Sequence, residues 1–476
     1  MDVSREDVIV SALSSLLGEK LCACEDFNTT ERFGIETACQ LLCRSLERAL
    51  EAFDELIFAE HDPAFSSKGF ESRSLLTCAG PVNWRRRRYT GSQGAVYLAD
   101  EALDICQRAK VSPLLCSELS RLALDQSYRS AAEALRLYVG ASITKTTVAR
   151  ALKTSSALLA EAGSEVTTKR RVPFIDVEAD GTYVALQRTK AEKALAVPGK
   201  ERAWREVSVM VAYEGKKQNK NGTKSRINTL YHASSEPAPD VWIQFKEQIH
   251  ERWDTTALRY SHLATDGADK YEAGIKHLPA KVYAGYDLHH ITSALSPAFG
   301  AEIAREIYNT MKTYGFNAGF ETLNDYAEFF FATKGDEACL KARDFIAEHA
   351  SAIKTAFVCN LGTIESTNAH LIGSRLKRFG GGWRSGLEPM VRLRSARASG
   401  TEIPIGRRRR ERVIDKRLAA RRQKDIEITI AELERKATGI RYQGKEAETT
   451  PLYYHQVQLA HSSSHEANHS LLHLWN

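Results

Sequence analysis

The stretch Phe-Ile-Asp-Val-Glu-Ala-Asp-Gly-Thr-Tyr-Val-Ala-Leu-Gln at residues 174–187 decides how the rest of the chain is interpreted. Apolar, β-prone residues lie on both sides of a short acidic centre, which predicts a strand that carries Asp180 and more strand after Gly181. A carboxylate on a strand is held rigidly by its backbone, and the glycine lets a partner approach closely. Asp180 is therefore a candidate metal ligand, while a structural or turn aspartate is about equally common at such a place.

Two more acidic residues extend the pattern. Asp266 ends a predicted strand, in Ala-Thr-Asp-Gly-Ala, and Glu365 opens a predicted helix, in Gly-Thr-Ile-Glu-Ser-Thr-Asn. Strand patterns occur at 174–187, 206–213, 226–233, 258–265 and 281–286, and helical patterns at 240–253, from 288 and from 364 to about 377. This order predicts an α/β fold with an RNase H-like catalytic core, a mixed five-stranded sheet with flanking helices. Its first and fourth strands are neighbours, so we expect Asp180 and Asp266 to converge.

Three carboxylates at one place predict a cation site. Asp180, Asp266 and Glu365 would repel one another unless cations lie between them. Oxygen ligands favour Mg²⁺ or Mn²⁺ over zinc, and two ions about 3.5–4 Å apart would serve displacement at a phosphodiester. The three residues are therefore predicted to be metal ligands and catalytic groups, with no nucleotide cofactor.

Composition sets the broad class of the protein. The 476 residues are 43% hydrophobic and 26% charged, with a net charge of +6, which is typical of a soluble protein of several domains. No signal-peptide pattern opens the chain, and no apolar run reaches the roughly 20 residues of a membrane span. Nine scattered cysteines fit reduced thiols, so we expect a cytoplasmic protein without a membrane partner.

Shifts in pattern predict five regions. They are a helical N-terminal region at 1–72, a DNA-binding region with a helix-turn-helix at 73–165, the catalytic domain at 170–296 plus 357–400, a helical insertion at 297–356, and a basic arm with a polar tail at 401–476. Ser130 and Glu133 have the spacing of a capping box for the first helix of the helix-turn-helix, and Gly140 lies at its turn.

Basic clusters predict a polyanion partner, because Lys and Arg release counterions when they contact phosphates. The candidate DNA-binding residues are Arg85, Arg86, Arg87, Arg88, Thr144, Lys145, Thr147 and Arg150. A solvated surface is the commoner fate of a charge run, and packing is as frequent as DNA contact for a helix hairpin. The same alternatives hold for Arg407–Arg410, and the histidines from His461 onward fit a frayed tail better than a metal site.

The acidic motifs resemble those of bacterial insertion-sequence transposases of the DDE type, specifically the ISLre-two family. Glu178-Ala179-Asp180-Gly181 is similar to the first acidic motif of that family, Asp266-Gly267-Ala268 to its second, and Asp287-Leu288-His289-His290 to its Asp-x-Phe-His motif. Glu365, Arg375, Lys377 and Trp383 are similar to its glutamate helix, basic run and tryptophan. Thr265, Lys270-Tyr271 and Phe379 depart from the family pattern without removing a carboxylate.

The resemblance implies a function. Such an enzyme binds double-stranded DNA at the terminal inverted repeats of its element, cleaves phosphodiester bonds there, and joins the 3′-hydroxyl ends to target DNA. It implies a homo-oligomer near the nucleoid, DNA contacts by Arg375, Lys377 and Trp383, and a role for His290 at the active site. A packed His290, and an Asp287 that caps a helix, are the simpler alternatives. Asn368, one turn from Glu365, is predicted to face the same site.

Two other functions remain open from the sequence. One is a non-catalytic DNA-binding protein derived from a transposase, although the intact carboxylates oppose decay. The other is an RNase H-like, structure-selective nuclease that makes no strand-transfer product.

Overall fold

The computed structural model describes residues 5–406 apart from 24–25, 62–64, 92–93, 107, 162–167, 189–191, 193–202, 360, 378–382 and 384. The predicted basic arm from Arg407 and the histidines of the tail lie outside the described residues. The chain divides into two compact units. The first comprises Met1–Ser155 with Pro404–Asn476, and the second comprises Ser156–Ile403.

The first unit contains helices and one antiparallel sheet. Its helices are Arg5–Cys22, Phe27–Glu60, Leu98–Ala102, Pro113–Ala123, Tyr128–Ala134, Arg136–Val139 and Lys145–Glu161, the last crossing the boundary between the units. The sheet contains β1 (Ser66–Thr77), β2 (Gly80–Gly91) and β3 (Gly94–Val96), in that order. The prediction of helix up to residue 72 was wrong for the last part, because β1 begins at Ser66 and pairs with β2.

The four consecutive arginines Arg85–Arg88 lie on β2, and their side chains occupy different environments. Arg85 and Arg88 are exposed, whereas Arg86 and Arg87 are buried. The guanidinium group of Arg87 lies 2.9 Å from Oδ2 of Asp54. Arg86 pairs with the buried Asp100 and stacks on the ring of Tyr97.

This placement corrects the prediction of DNA contact for Arg86 and Arg87. Both guanidinium groups are already neutralised inside the unit, and withdrawing them would leave buried carboxylates without a counter-charge. Only Arg85 and Arg88 keep the predicted role. A strand alternates its faces, so a run of four arginines must send some of them inward.

The second unit is built on a five-stranded mixed sheet. Its strands are β4 (Phe174–Leu186), β5 (Ala203–Tyr213), β8 (Leu230–Ser234), β9 (Tyr260–Thr265) and β10 (Lys281–Tyr286), with β6 (Lys216–Gln218) and β7 (Lys224–Arg226) forming a separate hairpin between β5 and β8. The order across the sheet is β10-β9-β4-β5-β8. Strand β4 is parallel to β9 and antiparallel to β5.

All five predicted strands are present. The bounds of the first four differ from the prediction by one to four residues, most in the third. It was predicted at 226–233, but β8 begins at Leu230 because Arg226 belongs to β7 and pairs with Lys216. The fifth, at 281–286, has the predicted bounds.

The two faces of β4 have opposite character. Its odd-numbered residues Ile175, Val177 and Ala179 are fully buried and belong to an apolar core with the helix Ala238–Arg252. Side chains alternate along a strand, so the even-numbered residues Asp176, Glu178 and Asp180 share the other face. All three are buried as well, at 3%, 0% and 5% exposure, so this face must supply partners for three carboxylates.

Helices fill most of the chain after β10. They are Leu288–Phe299, Ala301–Tyr314, Phe316–Lys334, Glu337–Glu348, Ala350–Cys359, Ile364–Thr367 and Leu387–Ala398, and Ile364–Thr367 runs on as a π-helix, Asn368–Lys377. Gly315, with φ of 93°, separates two of these helices. Pro297 lies inside the helix Leu288–Phe299. None of the helices in the described residues is long and apolar enough to cross a membrane.

The division of the arginine run can be tested by unfolding. We expect Arg87→Ala to lower the free energy of unfolding by about 3 kcal/mol or more, because it leaves Asp54 buried and unpaired. Arg88→Ala, on the exposed side of the same strand, should change it by less than about 0.5 kcal/mol. Urea unfolding of the full chain measures both, and equal effects would contradict the assignment.

Candidate functional site

Asp180 lies at the centre of the candidate site. Its Oδ1 accepts a hydrogen bond of 2.7 Å from the backbone N–H of Gly181, and its Oδ2 accepts one of 2.7 Å from Nδ2 of Asn368. Burial raises the pKa of Asp180 to about 6. The charges of Asp266 and Glu365 act in the same direction on this pKa, so both carboxylates lie within electrostatic range of Asp180.

Asp266 directly follows the neighbouring strand β9 and is level with Asp180. The parallel register of β4 and β9 ends with Glu178 opposite Ala264, and each aspartate follows two residues later. The expected convergence of the two strands is therefore seen in the backbone. Asp266 is partly exposed, and its Oδ1 accepts a hydrogen bond of 2.9 Å from the N–H of Ala268.

Glu365 comes from the helix Ile364–Thr367, and 48% of its side chain is exposed. Its Oε1 lies 3.9 Å from Nε2 of His289, so the histidine that contacts this carboxylate is His289 rather than His290. His290 instead lies beside Asp287, with 3.6 Å between Nε2 and Oδ2, and its charge lowers the pKa of Asp180.

Asp287 and Asn368 behave as the sequence predicts. Asp287 caps the helix Leu288–Phe299 by accepting a hydrogen bond from the N–H of His289. Asn368 faces the site and donates to Asp180. It begins the π-helix, and insertions of this kind are frequent at functional sites.

Three buried polar atoms around Asp180 lack hydrogen-bond partners within the described residues. They are Oδ1 of Asn368, Nε2 of His290 and Oδ2 of Asp287. Such atoms are uncommon, since leaving one unsatisfied costs roughly 1–3 kcal/mol. Their grouping here is typical of a place that receives a ligand.

Glu178 is the residue that sequence reasoning missed. Its fully buried carboxylate accepts hydrogen bonds of 2.5 Å from the hydroxyl of Tyr213, and of 2.6 Å and 2.9 Å from the N–H and hydroxyl of Thr363. Lys216 and Arg226 each place a cationic nitrogen 3.7 Å away. The available signal was its position two residues before Asp180, which puts both on one face.

Arg226 extends this network to the helix that carries Glu365. Its guanidinium group donates to the hydroxyl of Thr363 at 2.6 Å and to that of Thr367 at 2.7 Å. Glu178 and Arg226 thereby hold both ends of the short helix, which fixes the backbone from which Glu365 projects.

Gly181 has a packing role. A Cβ at this position would lie 2.0 Å from Oε1 of Glu206 and 2.4 Å from the hydroxyl of Tyr271. Lys270 pairs with the same Glu206 carboxylate. The close partners that Gly181 admits are thus Glu206 of β5 and Tyr271 of the short helix Asp269–Glu272.

The carboxylates of Asp180, Asp266 and Glu365 are chemically suited to a divalent cation, but they are not positioned to share one. Carboxylates are the ligands that Mg²⁺ and Mn²⁺ prefer, and burial, with the charges of Asp266 and Glu365, raises the pKa of Asp180. Among the described residues, no three Asp, Glu, His or Cys side chains are close enough together to hold a metal ion. Asp266 is partly exposed and Glu365 is exposed, whereas Asp180 is buried.

The residues after Glu365 hold the site together. Arg375, predicted to contact DNA, is buried at 6% exposure with its guanidinium 5.1 Å from the ring of Trp383, which corrects that prediction. The backbone N–H of Trp383 donates to the carbonyl of Ala185 at 2.9 Å, in a bridge beside the end of β4, and its indole N–H donates to the carbonyl of Leu376. Lys377 is exposed and donates to the hydroxyl of Thr182. Their common effect is to fasten the helix to β4.

The DNA-binding prediction for the helix Lys145–Glu161 stays a prediction. Thr144, Lys145 and Arg150 are exposed, and Thr147 is partly exposed. The hydroxyl of Thr144 accepts a hydrogen bond of 3.2 Å from the N–H of Thr147.

The predicted capping box before this helix was wrong. Ser127, not Ser130, caps the helix Tyr128–Ala134, because its hydroxyl accepts a hydrogen bond from the N–H of Ser130. Gly140 lies in the turn as predicted, with φ of 59°.

Comparison with known proteins gives a consistent relationship. The family model described as "Uncharacterised protein family (UPF0236)" matches residues 31–302, more than half of the chain. A UPF0236 protein of Caldanaerobacter subterraneus subsp. tengcongensis is 24% identical over 425 residues, or 84% of this chain and 85% of that protein. The UPF0236 protein in the vanSb 3′ region of Streptococcus gallolyticus is 23% identical over 375 residues, or 75% of this chain and 79% of that protein.

The network around Glu178 predicts a large effect of a small change. Glu178→Gln keeps the shape of the side chain but leaves Lys216 and Arg226 without a counter-charge, so we expect a loss of about 3 kcal/mol in the free energy of unfolding. Exposed Glu272→Gln is the control and should change it by less than about 0.5 kcal/mol. Urea midpoints give both values, and a Glu178→Gln loss below about 1 kcal/mol would contradict the role.

The buried Asp180 predicts a pH dependence of stability in metal-free protein. Its pKa in the folded chain, about 6, lies above the ordinary 3.8. Its contribution is therefore fully present below pH 3.8 and is lost as the pH rises through about 6. We expect Asp180→Asn to gain up to about 3 kcal/mol over the unchanged protein between pH 4 and pH 7. Thermal unfolding across this range tests it, and a constant difference would refute the raised pKa.

Proposed function

The chain belongs to the UPF0236 family, and we propose that it is a DDE transposase that cleaves and joins DNA with divalent metal ions. One observation carries the proposal. Asp180 on β4 is level with Asp266, which directly follows the adjacent parallel strand β9, and Glu365 projects from a helix that is bound to the same face of β4. Three carboxylates from these elements are the kind of donor set that two-metal phosphoryl transfer uses.

The sheet supports an RNase H-like core. In order along the chain, its five strands are β4, β5, β8, β9 and β10, and the first of them is central. Strands β5 and β8 lie on one side of it, and β9 and β10 lie on the other. Only β5 is antiparallel to β4, since β8 is antiparallel to β5 and β9 and β10 are parallel to β4. The sequence pattern predicts this strand order, with Asp180 on β4 and Asp266 directly after the neighbouring β9.

The relatives add an independent argument. The name of the Caldanaerobacter relative joins eleven locus designations of one organism. A protein sequence carried at many places in one genome is what a self-copying element produces. A housekeeping nuclease has no such reason to be repeated.

The residues suggest a division of work. Asp180, Asp266 and Glu365 would hold Mg²⁺ or Mn²⁺, which would activate the attacking oxygen and stabilise the leaving one. Asn368 donates a hydrogen bond to one oxygen of Asp180 and so holds this carboxylate in place. His289 lies against Glu365 and is placed to orient it. Arg85, Arg88, Lys145 and Arg150 are the exposed candidates for the DNA backbone.

Cleavage of the element ends tests the proposal. The substrate is DNA that carries the sequences flanking the gene, with Mg²⁺ present. We expect end-specific cleavage and strand transfer that fall by about 100-fold or more in Asp266→Asn, because a metal ligand is lost. Asp269→Asn, an exposed carboxylate three residues further on, should retain activity.

The outcomes separate the alternatives. Binding of the ends without cleavage by any variant would favour the non-catalytic DNA-binding protein. Cleavage without end preference or strand transfer would favour the structure-selective nuclease. Cleavage that survives Asp266→Asn would overturn the assignment of the site.

A further inference from the structure

A second constellation of chemical groups lies on the same face of the sheet, away from the three candidate metal ligands. Nδ1 of His262, on β9, lies 2.7 Å from Oδ1 of Asp176, its register partner on β4. Nε2 of the same imidazole lies 3.3 Å from Sγ of Cys359, the last residue of the helix Ala350–Cys359. A thiol, an imidazole and a carboxylate are therefore connected in series.

The order of the contacts defines the proton positions. An ionised carboxylate only accepts hydrogen bonds, so Nδ1 of His262 carries the hydrogen that Asp176 binds. Nε2 of the neutral ring is then an acceptor and faces the thiol of Cys359. This is the arrangement of a nucleophile, a general base and an orienting group.

The imidazole is held in place from several sides. The rings of Tyr260, Tyr283 and Phe174 lie 5.2, 6.0 and 6.1 Å from that of His262. Asp176 is buried at 3% exposure, while Cys359 is only partly buried. The imidazole that acts as the base is thus held in place, and Cys359 is only partly shielded from small molecules in solution.

We propose that Cys359 is a modification site, a thiol that His262 and Asp176 activate toward small electrophiles, of which hydrogen peroxide is the representative. His262 takes the thiol proton as the sulfur attacks. An S–O bond forms and the O–O bond breaks, so the sulfur loses two electrons and becomes a sulfenic acid. The departing hydroxide receives the proton from the imidazolium and leaves as water.

The surroundings of the sulfur explain why it needs a base. Burial, and then the charge of Asp176, raise the pKa of the Cys359 thiol. Its place at the end of a helix also disfavours a negative charge. The thiol therefore rests protonated, and its reactivity depends on transfer of the proton to His262 during the attack rather than on a standing thiolate.

The other cysteines of the chain provide the comparison. Cys22 and Cys106 are exposed, and Cys43 and Cys339 are buried. If access alone determined the rate, the exposed pair would react faster than the partly buried Cys359. An activated Cys359 reverses that order, so the ranking within one protein distinguishes activation from exposure.

The test measures each cysteine separately in the full, reduced chain. Protein is treated with dilute hydrogen peroxide and dimedone, or with iodoacetamide, and the labelled peptides are quantified over time by mass spectrometry. We expect Cys359 to react about tenfold faster or more than Cys22 and Cys106. In His262→Gln its rate should fall below theirs, while the rates of Cys22 and Cys106 stay unchanged.

Circular dichroism shows whether His262→Gln keeps the fold. Asp176→Asn is a second variant that tests the same proposal if it does not. It should slow Cys359 selectively, because the imidazole loses the partner that fixes its tautomer. Cys359→Ser controls for the identity of the labelled peptide. A Cys359 in the unchanged protein that reacts no faster than the exposed cysteines, or one whose rate ignores both variants, overturns the proposal.

Discussion

The second unit depends on the interactions of one buried carboxylate, that of Glu178. A charge with no exposure is tolerated only where hydrogen bonds and counter-charges replace water. Tyr213 and Thr363 supply the hydrogen bonds, and Lys216 and Arg226 supply the counter-charges. These partners come from β5, the β6–β7 hairpin and the start of the Glu365 helix. One side chain thereby joins elements that are distant in sequence and sets the position from which Glu365 projects.

The even-numbered residues of β4 divide one acidic face into three environments. Asp176 is bound by a histidine, Glu178 is neutralised by two cations, and Asp180 receives only an amide and a backbone N–H. Three carboxylates on one face of a single strand thus have three different sets of partners. Asp180 lies just beyond the end of the parallel register of β4 and β9, level with Asp266.

Much of this arrangement follows from local pattern. Period-two alternation locates the strands, and adjacency of the first and fourth strands aligns Asp180 with Asp266, because both are set by the backbone. The missed features depend on partners far away in the chain. Nothing local distinguishes Arg87, paired with Asp54, from the exposed Arg88, and nothing local indicates that Glu178 would meet Thr363. A side chain's partner is a property of tertiary packing, which periodicity does not encode.

The acidic site is arranged at the expense of stability. Asp180 is buried within range of two like charges, and Asn368, His290 and Asp287 each leave a buried polar atom without a hydrogen bond in the described part of the chain. A purely structural cluster would be satisfied internally, as Glu178 is a few ångströms along the same strand. Unsatisfied carboxylate and amide oxygens beside a raised pKa are what a cation or a cation-bound ligand would relieve. Glu178 is contacted by two cations, whereas Asp180 is hydrogen-bonded to Gly181 and Asn368 and lies among three atoms that have no hydrogen-bond partner in the described residues. This contrast is the strongest physical reason to look for function at Asp180.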